Sequence, residues 1–420
     1  MTDFRNNHYV PKWYQKRFLA AGAREQTFYY LDLHPPLVTS GERSHRRAAL
    51  LRWGPQRCFV ARDLYTTRFG RWFSTEIERK FFGVIDPQGQ GAVDYFTNFE
   101  HLSVNGEALR WMMAYMTLQR LRTPTGLSAL ADLVRLQDPN AVLLAMQQLR
   151  QMYGAIWTEA VWSIADASQS PTKFVVSDHP VTLYNRDCFP QSVQCRGHRD
   201  PDIRMSGTHT IFPLSRDKLL ILTNVSWVRN PYTSALTFRP NPDLFRNAVF
   251  NFMNIQTGRM LAEGEVREIN YVIKQRARRY IAAGEEEWLY PERHIPTLQW
   301  DQLGDGYLFM PDPRGVPFTS GIQMGYTGGQ VETYDEYGHV PGQPGFRADE
   351  PRADEWRTSL AFQGEFARVF GPRRRGRMCQ LPDLEPAEDS PEFHAETLRY
   401  EAKYKPPGAR KIRKARGRRS

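Results

Sequence analysis

Asp138-Pro-Asn-Ala-Val-Leu-Leu-Ala-Met-Gln-Gln-Leu149, followed by Lys173-Phe-Val-Val-Ser-Asp-His-Pro180, decides the fold class. Asp138 stands where a side-chain oxygen caps a helix, and Pro139 fits the first helical position, where its missing N–H costs nothing. Val142, Met146, Leu149, Tyr153, Ile156 and Ala160 then recur on one face at helical spacing, which predicts a helix to about residue 165. The second stretch is a β-branched and aromatic run ending in the turn Asp178-His179-Pro180, a strand for which Val181–Tyr184 is the expected return partner. A long amphipathic helix beside short hairpin strands is the pattern of an α+β fold, helices packed on a small antiparallel sheet.

The flanking sequence extends this reading. Glu107–Arg122 is a helix apolar on most sides, ending near Thr123 because Pro124 disfavours helical geometry in the residue before it. A last helix covers Glu265–Ile281, with Val266, Ile269, Ile273, Ala277 and Tyr280 on its core face and Asn270 at least partly buried beside them. Ile211–Leu214 and Lys218–Thr223 form a second strand pair, and Thr27–Leu33 a strand stopped by Pro35-Pro36. A short helix opens at Pro11, carries Tyr14 and Phe18, and ends at Gly22; residues 74–83 look helical, and Asp86–Gly91 reads as a loop. The expected organisation is one main domain over 1–290, a partly ordered Gly/Pro-rich extension over 291–380, and a mobile tail over 381–420 that is basic at its end.

Hydrophobic residues make up 41% and charged residues 24% of the 420, a balance that supports a core. No run of 18 apolar residues occurs, so no membrane helix is expected. The polar N-terminus lacks a signal-peptide pattern and the four cysteines are scattered, which together fit a reducing cytoplasm. The net charge of +10 is concentrated: residues 400–420 hold nine Lys or Arg against one acid, Glu401. Arg410, Lys411, Arg413, Lys414, Arg416, Arg418 and Arg419 are thus the expected contacts to RNA or DNA. The glycine fingerprints of dinucleotide and nucleotide sites, the zincin His-Glu-x-x-His and the Gly-x-Ser-x-Gly elbow are all missing from the sequence.

Three short motifs occur in order: His8-Tyr-Val-Pro11 with Tyr14 and Phe18, Gln119-Arg-Leu-Arg-Thr-Pro124, and Phe174-Val-Val-Ser-Asp-His-Pro180 followed by Phe212-Pro-Leu-Ser215. In this order and spacing residues 5–285 resemble the bacterial domain-of-unknown-function family DUF4238. His179 stands where the family's turn is expected to carry Asn. The resemblance implies a bacterial or phage-associated protein and supplies no reaction.

Several residues bear two readings each. His8 suits acid/base work near neutral pH and equally suits capping or packing at a helix start. Asp178 is either a metal-binding or base-orienting carboxylate or a turn residue bonded to its own backbone. Arg122, with Gln119 beside it, is a bidentate phosphate clamp or a cation favoured by a helix C-terminus; Tyr14 completes this substrate-side set. Glu76 and Glu78, two apart, share no helix face and read as solvated. Cys188-x6-Cys195-x2-His198 has metal-ligand residue types at a spacing foreign to zinc knuckles. Two functions follow. One is a hydrolase on nucleic acid, a nuclease-type toxin or defence effector, with His8 and Asp178 catalytic, a divalent metal and Arg122 as the clamp. The other is a non-catalytic nucleic-acid-binding or assembly protein whose motifs hold the fold.

Overall fold

The computed structural model describes residues 6–69 (without 21, 23–25 and 41–42), 72–74, 76–99, 105–158, 160–193, 195, 200–203, 205, 208–224 and 254–304. It also describes strand segments at 321–325, 331–335 and 373–375 and helical positions 392, 395, 396 and 399. Among the described residues six α-helices of five or more residues organise it: α1 Lys12–Lys16, α2 Gly83–Thr97, α3 Gly106–Leu121, α4 Pro124–Val134, α5 Pro139–Thr158 and α6 Glu263–Arg276. Helix α5 begins as its sequence dictates. The Asp138 carboxylate accepts from the N–H groups of Asn140 and Ala141 at 3.2 and 3.3 Å, leaving fewer orphan donors in the first turn.

Its far end does not run to residue 165. The chain turns and continues as the strand Ala160–Asp166, which lies inside a six-stranded sheet ordered Thr182–Tyr184, His209–Pro213, Lys218–Asn224, Ala160–Asp166, Asn254–Met260, Arg373–Arg375. Ala160–Asp166 pairs antiparallel with Lys218–Asn224 and parallel with Asn254–Met260. Trp162, Ser163, Ile164 and Ala165 are all buried. A strand covered on both faces has no alternation, so its apolar run is indistinguishable from a helix face in sequence.

A second, four-stranded antiparallel sheet runs Val176–Ser177, Tyr280–Ala283, Phe28–Asp32, Leu50–Trp53. Two expectations are corrected here. The last helix stops at Arg276, and Tyr280–Ala283 is a strand. Thr182–Tyr184 is not the partner of Val176–Ser177: the two lie in different sheets, separated at Pro180, and Thr182–Tyr184 pairs with His209–Pro213. The hairpin of His209–Pro213 with Lys218–Asn224 forms as read. Asn270 is fully buried; its amide accepts from Val175 N–H at 3.1 Å and donates to the Lys173 carbonyl at 2.8 Å, tying α6 to the loop before the turn.

Asp86–Gly91 is helical too, inside α2 and behind a π turn over Ile77–Phe82. Pro87 lies inside α2, one turn after the π turn, and Gly89 faces Tyr115: a Cβ there would lie 2.5 Å from the ring. This glycine serves close packing of α2 on α3, not a turn.

Candidate functional site

The α3–α4 corner is made by four consecutive residues with different tasks. Helix α3 ends at Leu121, Arg122 caps it, Thr123 caps α4, and Pro124 opens α4 with no N–H to satisfy. The Thr123 hydroxyl accepts from Gly126 N–H at 3.0 Å. Gly126 is obligatory: a Cβ on it would stand 2.0 Å from the Arg120 carbonyl oxygen. The corner thereby brings the first turn of α4 directly over the last turn of α3.

Against this corner packs the Asp178-His179-Pro180 turn. His179 Nδ1 lies 2.9 Å from the Thr123 hydroxyl and Nε2 lies 2.8 Å from the Asp200 carboxylate. A carboxylate at that distance only accepts, so Nε2 donates to it; the Thr123 hydroxyl beside Nδ1 also lies 3.4 Å from the Arg120 carbonyl oxygen. Arg120 Nη1 donates to the same Asp200 oxygen at 2.9 Å and to the Val181 carbonyl at 3.1 Å. Burial works against ionising Asp200, but the Arg120 guanidinium and His179 beside it win and hold its carboxyl well below the usual carboxylate range. Arg120, Leu121, Thr125, Gly126, Leu130, Tyr153, His179 and Asp200 are among the walls of a cleft here.

This cluster carries a pH consequence. Because the folded-state pKa of Asp200 is depressed, its stabilising contribution is present above the ordinary Asp value of about 4 and is lost as pH falls below it. Asp200→Asn should lower stability at neutral pH by roughly 3 kcal/mol and flatten the acid limb of a urea-midpoint titration. An unchanged acid limb in the variant would remove Asp200 from this account.

His8 sits in the strand Asn6–His8, with Nε2 3.1 Å from the Pro55 carbonyl and 3.3 Å from that of Gln56. Burial, then the Lys12 ammonium, lower its pKa from the ordinary value. The Asp178 carboxylate accepts three backbone N–H groups, from Arg278, Arg279 and Tyr280, at 2.9, 2.8 and 3.0 Å; burial raises its pKa against their pull. Arg122 is fully buried: Nη1 meets both oxygens of Asp86 at 2.8 and 3.0 Å, and Nε and Nη2 meet Gln119 Oε1 at 2.9 and 2.5 Å. Gln119 in turn donates to the Tyr9 carbonyl at 2.9 Å. Tyr14 donates to the Pro213 carbonyl at 2.5 Å and stacks on Phe212, and burial raises its pKa.

The motifs therefore do meet in space, through Tyr14 with Phe212-Pro213, Gln119 with Tyr9, and Thr123 with His179. His8 and Asp178 hold different carbonyl and amide sets and are not brought into one hydrogen-bonded group. The sequence reading missed Arg120 and Asp200 and noted His179 only as a departure from the family turn.

Comparison with known proteins adds a family label. Residues 136–287 match the family model described as Protein of unknown function (DUF4238). The matched stretch contains Asp178, His179, Asp200 and Asn270, while His8, Tyr14, Gln119 and Arg122 precede it. No curated protein and no solved structure matches the chain. Among the described residues no helix is long and apolar enough to cross a membrane, and no group of three or more His, Cys, Asp or Glu is arranged to hold a metal ion. His198, of the sequence-level metal pattern, and tail residues 400–420 lie outside the described residues.

Proposed function

We propose that the DUF4238 match marks a non-catalytic nucleic-acid-binding protein, cytoplasmic by its cysteine usage, whose folded body is a scaffold and whose basic tail supplies the polyanion contact. The observation that carries this reading is the internal engagement of the motif side chains. Three backbone N–H groups converge on Asp178, Arg122 is enclosed by Asp86 and Gln119, and the Tyr14 hydroxyl is donated to the Pro213 carbonyl. Groups so committed hold elements together. The charge available to a polyanion is concentrated at Arg410–Arg419.

Deleting residues 400–420 should lower RNA or DNA affinity at least about tenfold at low salt and flatten the dependence of affinity on salt, since neutralised phosphates release counterions. Equal affinity and equal salt slope after the deletion would overturn this reading.

A second reading has one observation in its favour. The run Thr123 Oγ1, His179, Asp200, at 2.9 and 2.8 Å, has the hydroxyl, base and orienting carboxylate of an activated nucleophile. It would make the protein a nucleic-acid hydrolase. Incubating the full chain with RNA and DNA, with and without divalent metal, decides: we expect intact nucleic acid. Cleavage abolished by His179→Gln would establish the second reading instead.

A further inference from the structure

The long connection over 185–208, between the paired strands Thr182–Tyr184 and His209–Pro213, builds a small core of its own. Apart from the main core, Cys188, Cys195 and Met205 pack together in a separate buried cluster. Every member carries sulfur. Only 4 of the 420 residues are Cys and 12 are Met, so chance rarely assembles such a trio. Turns bring the three together: Cys188 N–H donates to the Asn185 carbonyl at 3.1 Å, Cys195 N–H to that of Ser192 at 3.0 Å, and Met205 N–H to that of Asp202 at 3.0 Å. The Cys195 thiol reaches back to the Cys188 carbonyl at 3.7 Å, and both cysteines are free thiols. Fixing a long connection is entropically costly, and a metal clip that closes it gains accordingly.

We infer that Cys188, Cys195 and Met205 form a closed binding site for one copper(I) ion, held by two thiolates and a thioether. The donor set selects the ion. Soft thiolate and thioether sulfurs suit copper(I), zinc takes four ligands from Cys, His and carboxylates, and calcium and magnesium take oxygen. Burial fits as well, because structural metal sites are closed. Coordination here moves no electron: each cysteine gives its S–H proton to solvent as its sulfur bonds the ion, and copper stays monovalent. Burial pushes the Cys188 thiol up to about 12, so the ion must displace that proton, as a coordinated thiol is deprotonated outright. Two thiolates and one monovalent ion leave a single negative charge. Arg276 stands beside it: its Nη2 donates to the Cys188 carbonyl at 2.7 Å, and its guanidinium favours the ionised thiol. Asp200 lies in the same connection between Cys195 and Met205, so the clip would hold the chain that delivers Asp200 to Arg120 and His179.

The test gives the full chain copper(I), anaerobically and from its complex with a competing chelator. Because the site is closed, the ion is offered both to the folded protein and during refolding from urea. One equivalent should stay with the wild type after desalting, with a thiolate-to-copper charge-transfer band in the ultraviolet. Thermal unfolding should shift upward, since the ion favours the folded chain. Cys188→Ala combined with Cys195→Ala should lose both the equivalent and the band, whereas Cys58→Ala, in the main core, should keep them. Met205→Leu conserves volume, so without copper it should melt with the wild type. It should nonetheless hold copper at least about tenfold more weakly, since even changes beyond the ligands themselves cost that much. That pair of readouts separates lost binding from lost folding. No copper held by the wild type under either protocol, or equal retention by Met205→Leu or by the double variant, overturns the inference. Preference for zinc(II) over copper(I) overturns it too. No nucleic acid enters this measurement, so its result stands apart from that of the tail deletion.

Discussion

Gly126→Ala should destabilise the protein by roughly 3 kcal/mol or more, the upper end of what an added core methylene costs. The added Cβ would sit 2.0 Å from the Arg120 carbonyl oxygen and 2.7 Å from that of Leu121. Both neighbours are backbone, so neither can rotate aside. Relief requires α4 to retreat from α3, and that retreat breaks the Gly126 N–H bond to Thr123 and the Leu127 N–H bond to the Thr123 carbonyl. Thr123 is also the partner of His179 Nδ1, so the damage reaches the Asp178-His179-Pro180 turn. Gly264→Ala is the matched control: it lies in the first turn of α6 with nothing within 4 Å of the added methyl. There the change should be neutral or stabilising by up to about 1 kcal/mol, because alanine restricts the unfolded chain and favours helix. Urea midpoints followed by far-UV circular dichroism measure both. A Gly126→Ala protein as stable as the wild type would mean that α4 does not approach α3 as closely as described.

The same corner shows where the sequence was readable and where it was not. The start of α5 was legible because Asp138 and Pro139 act within one turn. The end of α5 was not, because Ala160–Asp166 becomes a strand only when Lys218–Asn224 and Asn254–Met260 flank it. Gly89 and Gly91 looked like loop residues; α2 keeps Gly89 because Tyr115 leaves no room for a side chain. Tertiary contact overrides propensity in each case. The cleft was half visible. Arg120 and Arg122 stand in one Gln-Arg-Leu-Arg run, and nothing local says which faces outward from the core; distant Asp86 and Asp200 decide it. Asp200 belongs to no motif, and no spacing rule would have selected it.

That division between two arginines yields a second large effect. Arg122→Met should cost roughly 3–5 kcal/mol, the range found when one member of a buried ion pair is removed. Methionine keeps much of the apolar contact with Phe82 and Tyr115, over whose rings the guanidinium lies. It cannot replace the donors. Asp86, whose side chain is 26% exposed, recovers some hydration, which moves the expected loss toward the lower end. Gln119 is worse placed: it is fully buried, and its Oε1 keeps only a 3.5 Å contact from the Tyr115 hydroxyl after losing both guanidinium bonds. Since Gln119 also holds the Tyr9 carbonyl, the loss should spread to the opening segment of the chain. Asp86→Leu alone should be similarly harmful, while Arg122→Met combined with Asp86→Leu should be less harmful than the sum, giving a coupling of at least about 1 kcal/mol in a double-mutant cycle. If Arg122 gripped a ligand phosphate instead, Arg122→Met would change stability by less than about 0.5 kcal/mol and weaken polyanion binding. Thermal unfolding and nucleic-acid titration of the same variant therefore separate a residue that holds the helices from one that holds a ligand.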